Sequence, residues 1–109
     1  MDILDIFEKQ RRLQFACYPD FMSINTREQR LQDNLKHIIH EVIEVERETN
    51  FKHWKQPTRT DWDNIKEELV DVFIFFMNAC NEAHLTPAEL IDMTIAKQKI
   101  NEDRKMSGY

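Results

Sequence analysis

One glycine, at position 108, and three prolines, at 19, 57 and 87, are all that interrupts the backbone of this 109-residue chain. Many short strands joined by tight turns need far more turn formers than that. The chain therefore reads as a few long helices, all-α, in a single domain over residues 1–109. Charged residues make up 32% and apolar ones 41%, the balance of a soluble globular protein. A formal net charge of −5 argues against a protein that coats nucleic-acid phosphates. It leaves room for a small anionic ligand held through metal ions. No apolar run approaches the roughly 20 residues that a membrane span needs. Cys17 and Cys80 form no CxxC, and MDILDIFEKQ reads as an amphipathic helix start rather than a targeting segment, so a reducing cytoplasm is expected.

Four helices are expected, packed as a bundle. Ile3, Leu4, Ile6, Phe7, Leu13 and Phe15 fall near helical spacing over residues 2–15. CYPDFMSIN, residues 17–25, contains Pro19 and reads as a loop with its apolar side chains tucked inward. A second helix opens at Asn25 with Glu28, or at the rival cap Thr26, and runs to about residue 50 with Leu31, Leu35, Ile38, Ile39, Val42, Ile43 and Val45 inward. Pro57 breaks the pattern. Thr60, with Asp63 three residues later and Asp61 between, opens a third helix in a way that suits the helix dipole. Its stripe is Ile65, Leu69, Val72, Phe76 and Cys80, widened by Val70, Phe73, Ile74 and Met77. Thr86, Pro87 and Glu89 give a cap, a first-turn proline and a capping-box glutamate for a fourth helix, which stops before Ser107-Gly108. The third helix is apolar on too many sides for a small monomer to cover, so a homodimer or homotetramer is expected.

Inside LVDVFIFFM, residues 69–77, stands one charge, Asp71. A helix apolar nearly all round would bury it, and a buried carboxylate needs a cation or a metal. Glu41 and Glu44 lie three apart on the second helix, and Glu68 and Asp71 three apart on the third. An antiparallel pair of helices can bring these four carboxylates to one point. Oxygen-only ligands suit Mg²⁺, with Mn²⁺ as a substitute. The competing reading is a buried pair of Asp71 with a lysine or arginine. His37 and His40, three apart, match neither HExxH nor ExxH, and one of them is expected at the surface with the other near the carboxylates. On the fourth helix Lys97, Asn101 and Arg104 fall within roughly 60° of one another at about 100° per residue. This stripe either faces solvent, salt-bridged to Glu102 or Asp103, or holds a polyphosphate against the metal side. Trp54, between Lys52 and Lys55, either stacks on a base or packs at a helix end.

These motifs together resemble the all-α nucleoside triphosphate pyrophosphohydrolases: dimeric dUTPases, phage dCTPase-dUTPases and MazG-type enzymes. Their pattern of ExxE followed by ExxD is similar to Glu41-Val42-Ile43-Glu44 and Glu68-Leu69-Val70-Asp71, with 23 residues between. FKHWK, DWDNIKEELVD and the terminal KxxxNxxRxxxGY resemble the dimeric dUTPase side in particular. FEKQRRL is a weaker match to the first helix, where a glutamine contacts the pyrimidine. The resemblance implies a Mg²⁺-dependent hydrolase that converts a nucleoside triphosphate, dUTP or dCTP, to the monophosphate and pyrophosphate. It implies Glu41, Glu44, Glu68 and Asp71 as metal ligands, with Glu41 or Glu44 orienting or deprotonating the water. It implies Lys55, Lys97, Asn101, Arg104 and Tyr109 on the phosphates, and Gln10, Trp54, Phe75 and Asn78 around the base. The alternatives are a MazG-like enzyme of broad (d)NTP specificity and, in another class, a non-catalytic helical interaction module. A substrate panel separates the first, and tolerance of Asp71→Asn without a Mg²⁺-dependent thermal shift marks the second.

Overall fold

The computed structural model describes residues 1–52 and 54–108. Among the described residues there are five helices and no strand: α1 (Ile3–Cys17), α2 (Pro19–Ile24), α3 (Arg27–Arg47), α4 (Trp62–Glu82) and α5 (Pro87–Met106). The all-α class agrees with the sparse turn formers, but the helix number does not. The stretch read as a loop at residues 17–25 contains α2. Pro19 takes its first position, where no backbone N–H is needed. The far end is held by Arg30, whose Nη1 donates to the carbonyls of Met22 at 2.9 Å and Asn25 at 2.7 Å.

Capping residues set most of the boundaries. Thr26, not Asn25, caps α3, in a box with Gln29 rather than Glu28. Asp61, not Thr60, caps α4 and accepts from the Asn64 N–H at 3.1 Å. Thr86 and Glu89 form the expected box on α5, with Pro87 at its first position. α3 ends at Arg47, three residues short of expectation. α4 ends in a motif hidden from the sequence pattern. His84 takes φ 57°, the Leu85 N–H donates to Cys80 O at 2.9 Å, and the His84 N–H donates to Asn81 O at 3.2 Å. This is a Schellman termination built on histidine instead of glycine.

α3 and α4 pack along each other in the largest contact of the fold, α1 lies on α4, α2 on α1, and α5 touches α1. The core is small. Phe7, Met77 and Cys80 form its centre, with Ile74, Leu85 and Leu90 packed around them. Beside it Glu82 is only 3% exposed. Arg30 holds it with two bonds of 2.7 and 3.1 Å, Arg11 adds a contact of 2.9 Å, and the Arg27 side chain donates to the Glu82 carbonyl. One carboxylate thus ties α1 and α3 to the end of α4.

Much of the apolar surface expected inside lies outside. On α1 only Phe7 is buried, and on α3 Leu35, Ile39, Val42 and Ile43 are exposed. Leu69, Val70, Phe73 and Phe76 of α4 are exposed as well. Asp71 is exposed too, so the expectation of a carboxylate in a dry core is wrong for the single chain. The physical reason is a shortage of covering surface. The radius of gyration is 17.5 Å, against about 13 Å for a compact domain of this length. The accessible surface is 8647 Å², against roughly 6,400 Å² for a compact monomer of this mass. Among the described residues no helix is long and apolar enough to cross a membrane.

Candidate active site

Two stripes with the same spacing face each other across the α3–α4 contact. Asn34, His37, Glu41 and Glu44 sit at i, i+3, i+7 and i+10 of α3. Glu68, Asp71, Phe75 and Asn78 repeat that spacing on α4. Such positions share one helix face. One end of the resulting groove is acidic and the other is a cavity.

At the acidic end, Glu41, Glu68 and Asp71 bring one carboxylate oxygen each within 4.8 Å of one another. Glu41 and Glu68 are half-buried and Asp71 exposed. Glu44 stands outside this trio, paired with Arg47 at 3.4 Å. Partial desolvation, and then the charges of Asp71, Glu41, Glu44 and Glu48, push the Glu68 carboxyl above its ordinary value. An oxygen-only set that repels itself in this way fits a hard divalent cation. Neither histidine joins it. His37 stacks on Phe75 at 4.7 Å with the rings 10° from parallel, and His40 is exposed.

The cavity holds about 530 Å³ between α1, α2, α3 and α4, the size of a small-molecule site. Gln10, Phe75 and Asn78, three of the four residues expected around a base, line it together. The Gln10 Nε2 donates to Asn78 Oδ1 at 3.0 Å. Gln10 keeps its oxygen, and Asn78 its amide nitrogen, for a guest. Asn34, Asp33, His37, Tyr18 and Phe21 complete much of the wall. Sequence reasoning missed these. For Asn34 a signal existed, a polar side chain one turn from His37 on the stripe that carries Glu41. For Tyr18 and Phe21 there was none, because α2 itself was read as a loop. Trp54 is 77% exposed and does not line this cavity. Asp71 and Asn78 are seven residues apart, so about 10 Å of helix separates the carboxylates from the cavity, a span suited to a base and its phosphates.

The expected phosphate ligands are dispersed. Lys55 lines a shallow hollow with Arg47 and Lys52. Lys97, Asn101 and Arg104 are exposed on the outer part of α5. Asp103, a candidate partner for that stripe, pairs with Lys99 at 3.0 Å. Tyr109 lies outside the described residues. Neither a comparison with curated proteins nor one with solved structures gave a match. A family model described as dUTPase matches residues 2–102. That span covers α1, the cavity and both acidic pairs, and the chain belongs to this all-α dUTPase family.

Proposed function

We propose that the chain is a Mg²⁺-dependent nucleoside triphosphate pyrophosphohydrolase that converts dUTP or dCTP to the monophosphate and pyrophosphate in the cytoplasm. The observation that carries this reading is the single groove with a carboxylate trio at one end and an amide-lined cavity about two helical turns away. Membership of the dUTPase family supports the same substrate class.

Glu41, Glu68 and Asp71 would hold the cation, with Glu44 at its edge and Mn²⁺ able to substitute. When bound, the cation offsets phosphate charge and lowers the cost of ionising water nearby. The protein's own groups do the rest. Gln10 and Asn78 offer donors and an acceptor to the edge of the base, and Phe75 lies in the wall against its face. Glu44, outside the trio yet near enough to act on Glu68, orients the water and takes its proton. The water oxygen then bonds to one of the two phosphorus atoms flanking the bridge that is cut, as that phosphorus parts from the bridging oxygen, and monophosphate and pyrophosphate separate. Lys97, Asn101 and Arg104, with Lys55 and Tyr109, bind the phosphates. A homodimer or homotetramer covers the exposed apolar surface.

The test is product analysis with dUTP, dCTP, dTTP, dATP, dGTP and UTP, with Mg²⁺ and with EDTA. Monophosphate plus pyrophosphate from dUTP or dCTP, only with Mg²⁺, is the expected result. Equal turnover of purine nucleotides would favour the broad-specificity reading. No turnover of any nucleotide would overturn the assignment.

A further inference from the structure

We infer that the cavity reads the exocyclic amine of cytosine, with Asn34 as the residue that sets dCTP above dUTP. This rests on the pyrophosphohydrolase reading and adds the base for which the cavity is built. His37 of α3 stacks on Phe75 of α4, which fixes the register of the two helices. One turn further towards the cavity, three residues back on α3 and three on along α4, stand Asn34 and Asn78. Both line the cavity and both are only 4% exposed. Polar side chains so deep need partners.

Asn34 has half of what it needs. Its Nδ2 donates to the Arg30 carbonyl at 2.8 Å, and its Oδ1 accepts from no described residue. Among the described residues no side-chain nitrogen or oxygen shut off from solvent lacks a partner, so this oxygen opens onto the cavity. Its orientation is fixed, because turning the amide over would set two carbonyl oxygens against each other. Gln10 and Asn78 are a different case. Gln10 Nε2 donates to Asn78 Oδ1 at 3.0 Å. With both amides turned over the bond survives in the opposite sense, and in either state the pair leaves one amide oxygen and one amide nitrogen for a guest. That pair serves cytosine and uracil alike.

Two free oxygens therefore meet the base, one from the pair and one from Asn34. The amine of cytosine has two N–H bonds to give them, and its ring N3 accepts from the pair's nitrogen. Uracil has one N–H on that edge, so one of the two oxygens is left against a carbonyl. Asp33 lines the same cavity, with its carboxylate 3.3 Å from His37 Nε2. Its charge favours an amine over a carbonyl, and among the described residues no lysine or arginine lines the cavity to reverse that sign. Gln14 and Tyr18, also in the lining, can each donate or accept and so serve either base.

Binding is the first test, since it needs no turnover. The α,β-imido analogues of dCTP and dUTP cannot be cut at the bridge between monophosphate and pyrophosphate. Titrated into the wild-type protein with Mg²⁺ in a calorimeter, the cytosine analogue should bind on the order of 10- to 100-fold more tightly. Equal binding, tighter binding of the uracil analogue, or binding of neither would overturn the inference. A third ligand, with 2-pyrimidinone as its base, keeps ring N3 but carries hydrogen in place of the amine. It should bind as weakly as the uracil analogue, and binding as tight as that of cytosine would show the amine unread. Asn34→Leu, of similar size, removes the oxygen and should shrink the preference for cytosine to about threefold. An unchanged preference in that variant would overturn the role of Asn34. Should the variant fail to fold, the three ligands on the wild-type protein still decide whether the amine is read. Steady-state kinetics separate this from the functional reading. Cleavage of dUTP at least as efficient as that of dCTP keeps the hydrolase and sinks the cytosine assignment. No cleavage of either, with the cytosine analogue still bound more tightly, does the reverse.

Discussion

At the scale of single residues, charge decides most. Partial desolvation of Glu68, and then four acidic neighbours, disfavour it as an anion. Its folded value lies above the ordinary 4.5, so over the interval between the two the folded chain binds more protons than the unfolded one. Metal-free stability therefore falls as pH rises through that interval. Glu68→Gln should flatten this fall and raise the metal-free melting temperature at neutral pH, while cutting Mg²⁺-dependent turnover by on the order of 100-fold. Circular dichroism and a turnover assay check both arms. Gln10→Ala removes one hydrogen-bonding edge from the cavity and should raise KM for the preferred nucleotide by about 10-fold with kcat little changed. Glu82 shows charge in a structural role. Glu82→Ala leaves Arg30 and Arg11 without their carboxylate and should cost about 3 kcal/mol in denaturant unfolding.

Helices were the most legible scale, because caps and periodicity are local. The Thr86-Pro87-Glu89 start of α5 needed nothing from elsewhere in the chain. Of the two rival caps of α3, Thr26 holds the position, and α4 is capped by Asp61, one residue after the expected Thr60. α2 was unreadable because six residues carry too little periodicity, and its far carbonyls are satisfied by Arg30 from another helix. The Schellman turn at His84 was hidden because histidine lacks the freedom that makes glycine the usual residue there. Relief of that conformation gives a test. His84→Gly should stabilise the fold by about 0.5–1 kcal/mol, read as a shift of the denaturation midpoint at unchanged slope. The acidic pairs were legible from spacing, and the structure gathers three of their four carboxylates. The cavity was half legible: Gln10, Phe75 and Asn78 were named and meet there, whereas Trp54 stands apart. Long-range partners explain the shortfall, since nothing near Arg30 announces Glu82, 52 positions away.

Over the whole molecule the dominant fact is unspent apolar surface. The sequence signalled it through LVDVFIFFM, but not where it would lie, since Asp71 and four of its apolar neighbours turned out to face solvent. Ile95→Asp on the outer part of α5 is a direct probe. On a true monomer surface it would change stability by less than about 0.5 kcal/mol. At an interface it should shift sedimentation to the monomer and remove activity in parallel. A helix left exposed after Leu90 offers apolar surface that a second copy would cover, and such a pairing would tie output to abundance. If a site is complete only when two chains meet, dilution below the dissociation constant lowers the rate with the square of chain concentration. A cell making few copies would then hold the chain silent, and doubling synthesis would raise the rate fourfold rather than twofold in that regime.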